Sequence, residues 1–218
     1  MNIGIRKALK LNPDIMGFMN SDMWCDLNMV EEIKRYFNSN PSVAALTPNI
    51  KDLENTNSVF YPIKYKGIFG KTTIITTTDD SDTDFLTGAS LFVRTNDLKK
   101  TGLFYEPYIH GTEDFELCDR IRKEGTMKYI YSTNIHHQSI KEKKNKVSLE
   151  LEKINSKNWY IYCLRNKPAV LIFTTGAIFK NTYDWIVHKD IVAKQRLLGK
   201  LEAIKETPFH LTNKNKYL

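Results

Sequence analysis

The chain has 218 residues, 41% of them hydrophobic, and a formal net charge of +7. That suffices for one α/β domain with a packed core and a small appendage, and nothing in the composition suggests global disorder. Three cysteines, at 25, 118 and 163, form no CxxC pair, a count that fits a reducing compartment. Arg6, Lys7 and Lys10 interrupt the opening stretch where a signal peptide would need an apolar core. The longest apolar run, Ala169 to Phe179, falls short of the ~20 residues of a membrane span, so a cytoplasmic protein is expected.

In chain order, Ile15 to Met19 is an apolar run that ends abruptly in Asn20-Ser21-Asp22, the pattern of a buried strand with polar residues at its carboxyl end. Leu27 to Phe37 carries Val30, Ile33 and Phe37 at helical spacing, with Pro41 beyond its end, and Val43 to Thr47 reads as a second buried strand. Strand, helix, strand implies a parallel sheet, whose ligands sit beyond the carboxyl ends of the strands. Thr72 to Thr78 is β-prone. The acidic cluster Asp79, Asp80, Asp82 and Asp84 lacks the glycine and glutamate of a calcium loop and reads as solvated. Phe85 to Arg94 is a strand interrupted at Gly88-Ala89-Ser90, where small residues permit close approach of a ligand. Thr112 stands where an N-cap belongs, Phe115, Cys118 and Ile121 form an apolar stripe, and Gly125 suits the position after a helix. Tyr129 to Ile135 is a strand ending at His136-His137, and helices are expected near 147–165 and 182–205.

The charge is unevenly placed. Residues 1–138 hold 16 Lys/Arg against 18 Asp/Glu, and residues 139–218 hold 16 against 7. A basic C-terminal third suits either an anionic lipid surface or a solvated face, and no motif points to nucleic acid.

Three polar groups fall at element ends: Asn20-Ser21-Asp22, Glu113-Asp114 and His136-His137. Each has a plain structural alternative: capping for Asp22, the helix dipole for Glu113 and Asp114, a packing role for a histidine. Together they form a kit for displacement at a phosphate-activated centre, a carboxylate and an imidazole sharing a divalent ion while a second carboxylate deprotonates a hydroxyl.

These residues carry a resemblance. Asn2-Ile-Gly-Ile, Phe18-Met-Asn-Ser-Asp22, Phe85-Leu-Thr-Gly-Ala89, Gly102-Leu-Phe-Tyr-Glu106 with Glu113-Asp-Phe-Glu-Leu-Cys-Asp-Arg120, His136-His-Gln-Ser139 and Arg165-Asn166 occur in an order and spacing that resemble bacterial family-2 glycosyltransferases, especially the rhamnosyltransferase-like group. The resemblance implies a GT-A (Rossmann-like) mixed sheet flanked by helices over residues 1–166, followed by a basic helical tail over 167–218. It implies that Asp22 and His136 hold Mg²⁺ or Mn²⁺ against the diphosphate of a nucleoside-diphosphate sugar, with Asn20 and Ser21 lining that diphosphate. By the same resemblance His136 is preferred to His137, because it heads the H-x-x-S pattern. Asp114 is the implied general base, Glu113 positions base or acceptor, and Gly88 and Ala89 border donor sugar and acceptor. The implied reaction is transfer, with inversion, to a hydroxyl of a surface glycan or lipid-linked acceptor. Trp185 to Ile204 is similar to the C-terminal helices of membrane-associated members, which implies either peripheral contact with the inner membrane surface or a helix packed back on the core.

Family members carry nucleotide-binding strands ahead of the Asn2 segment, and the chain is therefore expected to be N-terminally truncated. The alternative to an intact enzyme is a non-catalytic fragment or partner subunit of a split glycosyltransferase.

Overall fold

The computed structural model describes residues 1–53, 60–66, 71–108, 110–137 and 148–212. Two units emerge, Met1–Tyr65 with Thr72–Phe104 and Leu117–Ile140, and Lys66–Lys71 with Tyr105–Glu116 and Lys141–Leu218.

Among the described residues, the first unit is built on a six-stranded sheet. β1 (Ile15–Met19), β7 (Ser90–Arg94), β3 (Val43–Asp52), β8 (Thr126–His137) and β2 (Met23–Cys25) lie in that order, and β6 (Ser81–Asp82) pairs with β8. β4 (Ile63–Lys66) and β5 (Lys71–Ile74) form a separate hairpin. The expected strands at 15–19 and 43–47 are present but do not lie side by side. β7 runs between them, antiparallel to both, and the parallel partner of β3 is β8. The sheet is therefore mixed. β3 is buried along nearly its whole length, as a central strand of Val, Ala, Leu and Ile should be. The expected strand over 85–94 starts only at Ser90, because Thr87 to Ser90 form a turn closed by the Ser90 amide on the Thr87 carbonyl at 3.1 Å.

α2 (Met29–Ser39) follows Asn28, whose amide donates to Glu32 at 2.6 Å, while Glu31 and Glu32 answer the helix dipole. It buries Met29, Ile33 and Phe37, one residue per turn, against Val43, Leu46, Phe92, Ile130 and Ile135 of the sheet. Val30 instead faces solvent. Arg94 closes this layer: its guanidinium donates to the carbonyls of Val43 (2.7 Å), Phe37 (2.5 Å) and Asn40 (3.0 Å) and lies over the Phe37 ring. Two short helices escape sequence reading, α1 (Asn2–Leu9) and α3 (Thr95–Thr101).

The acidic cluster is exposed at Asp79, Asp80 and Asp82, as read from the sequence, and it also makes structural bonds. Asp80 accepts from the Tyr131 and Ser132 amides at 2.8 and 3.3 Å, Asp82 pairs with Lys128 at 2.7 Å, and Asp84 accepts from the Tyr65 amide at 2.8 Å. The Asp80 bonds matter because β8 bulges there. Pro48 of β3 faces Ile130 but Asn49 faces Asn134, so Tyr131 to Ser132 and Thr133 have no β3 partner.

α4 (Glu113–Ile121) ends before Gly125. That glycine is needed for close approach, since a Cβ would stand 2.6 Å from the Ser42 carbonyl oxygen. Arg120 of α4 donates to the carbonyls of Thr101, Gly102 (3.0 Å) and Leu103 (2.7 Å), tying down the turn after α3. The Arg120→Ala variant should lose about 2–3 kcal/mol of stability in urea unfolding, and Arg120→Lys most of that, because an ammonium cannot reach three carbonyls in a plane.

The second unit is dominated by α5 (Leu149–Asn166), α6 (Pro168–His188) and α7 (Ile191–Thr212). Three helices replace the two expected, and α5 packs with α6 and α7. The observed division joins α5 to the C-terminal helices. Ion pairs stitch α5 to α7: Lys157–Glu206 at 2.6 Å, Arg196–Glu152 at 2.7 Å and Lys153–Glu202 at 3.1 Å. A buried polar chain extends from them. Tyr105 donates to His210 Nδ1 at 2.8 Å, His210 Nε2 meets Glu206 at 3.2 Å, and Arg165 lies over the Tyr105 ring while donating to the His210 carbonyl at 2.7 Å.

Burial pushes the His210 pKa down, against Glu206 and with the help of Arg165 and Lys157, so the folded unit favours the neutral ring. Burial pushes Glu206 up, but its bonds to Lys157 and His210 outweigh this and hold it below its usual value. Both shifts mean the unfolded chain binds more protons. Stability from His210 is complete above the ordinary imidazole pKa and is lost as pH falls toward the depressed folded value. Thermal melts followed by helical circular dichroism should therefore show a falling midpoint between about pH 7 and pH 5, and His210→Gln should flatten that dependence.

Candidate functional site

The loop Asn20-Ser21-Asp22 leaves the carboxyl end of β1 and enters β2 at the far edge of the sheet. Its first amide, Asn20 N, donates to the Ala89 carbonyl at 2.9 Å. The predicted residues Asn20 and Ala89 are thus brought together, with Gly88 and Ala89 in the turn that opens β7 and Ser21 exposed at the loop's crest. Beneath them, Thr47 donates to the Ser90 carbonyl at 2.7 Å, and the Ser90 hydroxyl is buried with no hydrogen-bond partner among the described residues.

Asp22 meets a histidine, and it is His137 rather than His136. His137 Nε2 stands 3.2 Å from Asp22 Oδ2, whereas His136 Nε2 faces Asp26 at 3.3 Å. Neighbouring residues of a strand point to opposite faces. The register decides which is which: His137 lies opposite Met23 of β2 and beside Asp52 of β3, and His136 opposite Trp24 and beside Lys51. Asp52, a buried carboxylate at the carboxyl end of β3, is a neighbour that sequence reading missed because β3 continues past Thr47. Below this edge Tyr129 donates to Asn49 at 2.8 Å and Asn49 to Asn134 at 3.2 Å, so the buried polar groups of β3 and β8 satisfy one another.

Among the described residues no group of three or more His, Cys, Asp or Glu side chains is arranged to hold a metal ion. Asp22 and His137 are donors of the types such an ion takes, and they touch each other directly. Two ligands at about 2.1 Å in adjacent octahedral positions are roughly 3 Å apart, and Mg²⁺-like ions take one or two protein ligands and complete their shell with water and phosphate oxygens. The observed separation is 3.2 Å.

Glu113 and Asp114 belong to the second unit and open α4. Asp114 is half-buried and accepts from the Phe115 amide at 2.9 Å; Glu113 Oε2 is buried with no hydrogen-bond partner among the described residues. The approach to this helix is strained. Gly111 and Thr112 both have left-handed backbones, φ +71° and +76°. Thr112 stands at the expected N-cap position, its carbonyl accepting the first helical bond, from Glu116 at 3.1 Å, but its buried side chain is carried on a left-handed backbone that β-branched residues avoid. α5 holds the strained turn. Asn158, 2% exposed, donates to the carbonyls of His110 at 2.7 Å and Gly111 at 3.3 Å, and a Cβ at Gly111 would stand 2.7 Å from Asn155 Oδ1.

No protein-family model matches the chain, and no curated protein matches its sequence. Among solved structures, the chain is similar to GalNAc-T7 with UDP, GalNAc and Mn²⁺, at TM-score 0.57 and 11% identity, over 99% of this chain and 44% of that one. The mannosyltransferase PcManGT of Pyrobaculum calidifontis, in complex with GDP-Man and Mn²⁺, aligns at TM-score 0.46 and 12% identity over 97% of this chain and 62% of that one. S. aureus TarS aligns at 0.46 and 15% over 83% and 30%. The likeness to GalNAc-T7 identifies the mixed sheet flanked by helices as a fold of the GT-A type, and the chain spans 44% of the GalNAc-T7 chain it matches.

If the turn before α4 is strained and crowded as described, Gly111→Ala should cost about 1–2 kcal/mol in equilibrium unfolding from its backbone alone. Combining it with Asn155→Ala should recover only the additional steric part.

Proposed function

We propose that the chain is the acceptor-side part of a glycosyltransferase that moves a sugar from a nucleoside-diphosphate sugar to a hydroxyl of a glycan or lipid-linked acceptor. The observation that carries this reading is the Asp22–His137 pair at the carboxyl edge of a GT-A sheet, beside the Asn20–Ala89 bond. Ligands of α/β sheets bind at that edge.

Asp22 and His137 would hold Mn²⁺ or Mg²⁺, which supplies charge neutralisation for a departing diphosphate. His137 takes the place that the resemblance gave to His136. Asn20 and Ser21 would present loop groups to the diphosphate, and the small side chain of Ala89 with Gly88 leaves room for a sugar. Asp114 would take the proton of the acceptor hydroxyl, and Glu113, whose Oε2 has no hydrogen-bond partner among the described residues, would orient the acceptor or the base. Attack by that hydroxyl opposite the diphosphate inverts the anomeric carbon. The rhamnosyltransferase-like motifs support a bacterial surface glycan as the product, made at the cytoplasmic side of the membrane.

A second reading, a partner subunit without activity of its own, is favoured by β1. Among the described residues it pairs with β7 alone, and a cavity of about 400 Å³ lined by Ile15, Gly17, Val30, Ile33 and Phe92 lies beside it.

Titration calorimetry with UDP and GDP in the presence of Mn²⁺ tests the first reading. Binding should vanish with EDTA, weaken about tenfold or more in Asp22→Asn and His137→Ala, and persist in His136→Ala. Absence of any nucleoside-diphosphate binding would sink the enzyme reading for this chain. Asp114→Asn should retain donor binding and lose transfer.

A further inference from the structure

α6 has two faces. On one, Val170, Leu171 and Ile178 pack against the cluster around Tyr160, Tyr162 and Ala203, and Thr174 and Asn181 are buried. On the other, Ile172, Phe179, Tyr183 and Ile186 are 73%, 77%, 57% and 56% exposed. Positions 172, 176, 179, 183 and 186 alternate in steps of four and three. That is the spacing of the a and d positions through which two helices interlock. Gly176 stands inside this stripe, and a Cβ there would meet nothing within 4 Å. The stripe therefore carries both a knob, the Phe179 ring, and a hole one turn before it.

Knob and hole are placed so that the stripe complements itself. A second α6, antiparallel about a two-fold axis between Ala177 and Ile178, sets position 176 against 179 of the second copy, 172 against 183 and 169 against 186. Phe179 of each copy then enters the space over Gly176 of the other, and Ile172 meets Tyr183 of the second copy. An isologous contact makes each of these pairings twice. Phe173 and Val187, also more than half exposed, border the stripe and extend the contact. With about 150–200 Å² per side chain, the exposed parts of these residues amount to roughly 600–700 Å² per copy, so two copies bury about 1,200–1,400 Å², which reaches the range of specific interfaces. Lys180 at the border is ion-paired with Asp184 one turn on, so its charge is already answered within the helix.

We propose that α6 pairs antiparallel with α6 of a second copy of this chain, the Phe179 ring of each filling the gap over Gly176 of the other. The pairing rests on α6 alone and is independent of the glycosyl-transfer reading.

Sedimentation equilibrium of the full chain tests it. A monomer–dimer equilibrium should appear between about 1 and 100 μM. Phe179→Asp should weaken the dimer at least about tenfold, and Gly176→Leu, which fills the hole, should do the same by about tenfold. Both positions are exposed, so helical circular dichroism should be unchanged. Phe179→Gly alone should dissociate the dimer, and adding Gly176→Phe should restore it, because knob and hole exchange places in both copies. A chain that stays monomeric throughout, a dimer that Phe179→Asp retains, or an exchange variant that fails to regain the dimer overturns the proposal. Binding of a monomeric chain to phosphatidylglycerol vesicles, tightened rather than weakened by Gly176→Leu, assigns the stripe to lipid and overturns it equally.

Discussion

Asp80 accepts hydrogen bonds from the amides of Tyr131 and Ser132, and the site residues on β8 depend on what those bonds permit. β8 is asked to pair with β3 on one side and with β6 and then β2 on the other. It does so by setting three residues out of register with β3, and their amides need acceptors once the ladder no longer provides them. Asp80 supplies the first two, while the Thr133 hydroxyl reaches Glu32 of α2 at 2.8 Å. Beyond the bulge the strand resumes with Asn134 beside Asn49, and its end is carried outward to meet β2. The loop from β1 then crosses the edge of the sheet and delivers Asp22 to that end.

This explains which parts of the site were legible in the sequence. Strand cores announce themselves through apolar runs, so β1, the first half of β3 and most of β8 were readable, as were the polar residues that follow them. The order of the strands was not, because β7 inserts between β1 and β3 through contacts between residues more than forty positions apart. The choice between His136 and His137 turned on the bulge. One residue more or fewer in it would exchange their faces, and no local pattern counts bulge residues. Asp52 was overlooked for a related reason, since the polar residues Thr47 and Asn49 masked the continuation of a strand that is buried all the same. The acidic run from Asp79 to Asp84 is largely exposed, as read, but its bonds to the Tyr131 amide, Lys128 and the Tyr65 amide join it to residues distant in sequence and leave no local signal.

The second unit shows a different division of labour. The residues that open α4 were visible as a charged helix start, but the turn before them was not. Thr112 has the composition of an ordinary cap and the backbone of a strained one, and only Asn158 on α5 and the crowding at Asn155 reveal what holds it. The C-terminal helices therefore do more than form a tail. They carry the amide that fixes the approach to Glu113 and Asp114, and through Arg165, His210 and Glu206 they bury a polar chain that favours one protonation state of an imidazole. Strain at a turn persists only where surrounding packing over-determines it, which is the service α5 provides.

The cysteines differ in a way that has a practical side. Cys118 and Cys163 are buried, and burial raises the Cys163 thiol to about 11, while Cys25 is exposed on β2. Cys25 lies opposite Ile135, three residues along the chain from Asp22 and one strand away from the two histidines. A maleimide dye would therefore settle on Cys25 alone, one strand from the place where Asp22 meets His137, which makes this chain its own optical gauge of events at that edge of the sheet.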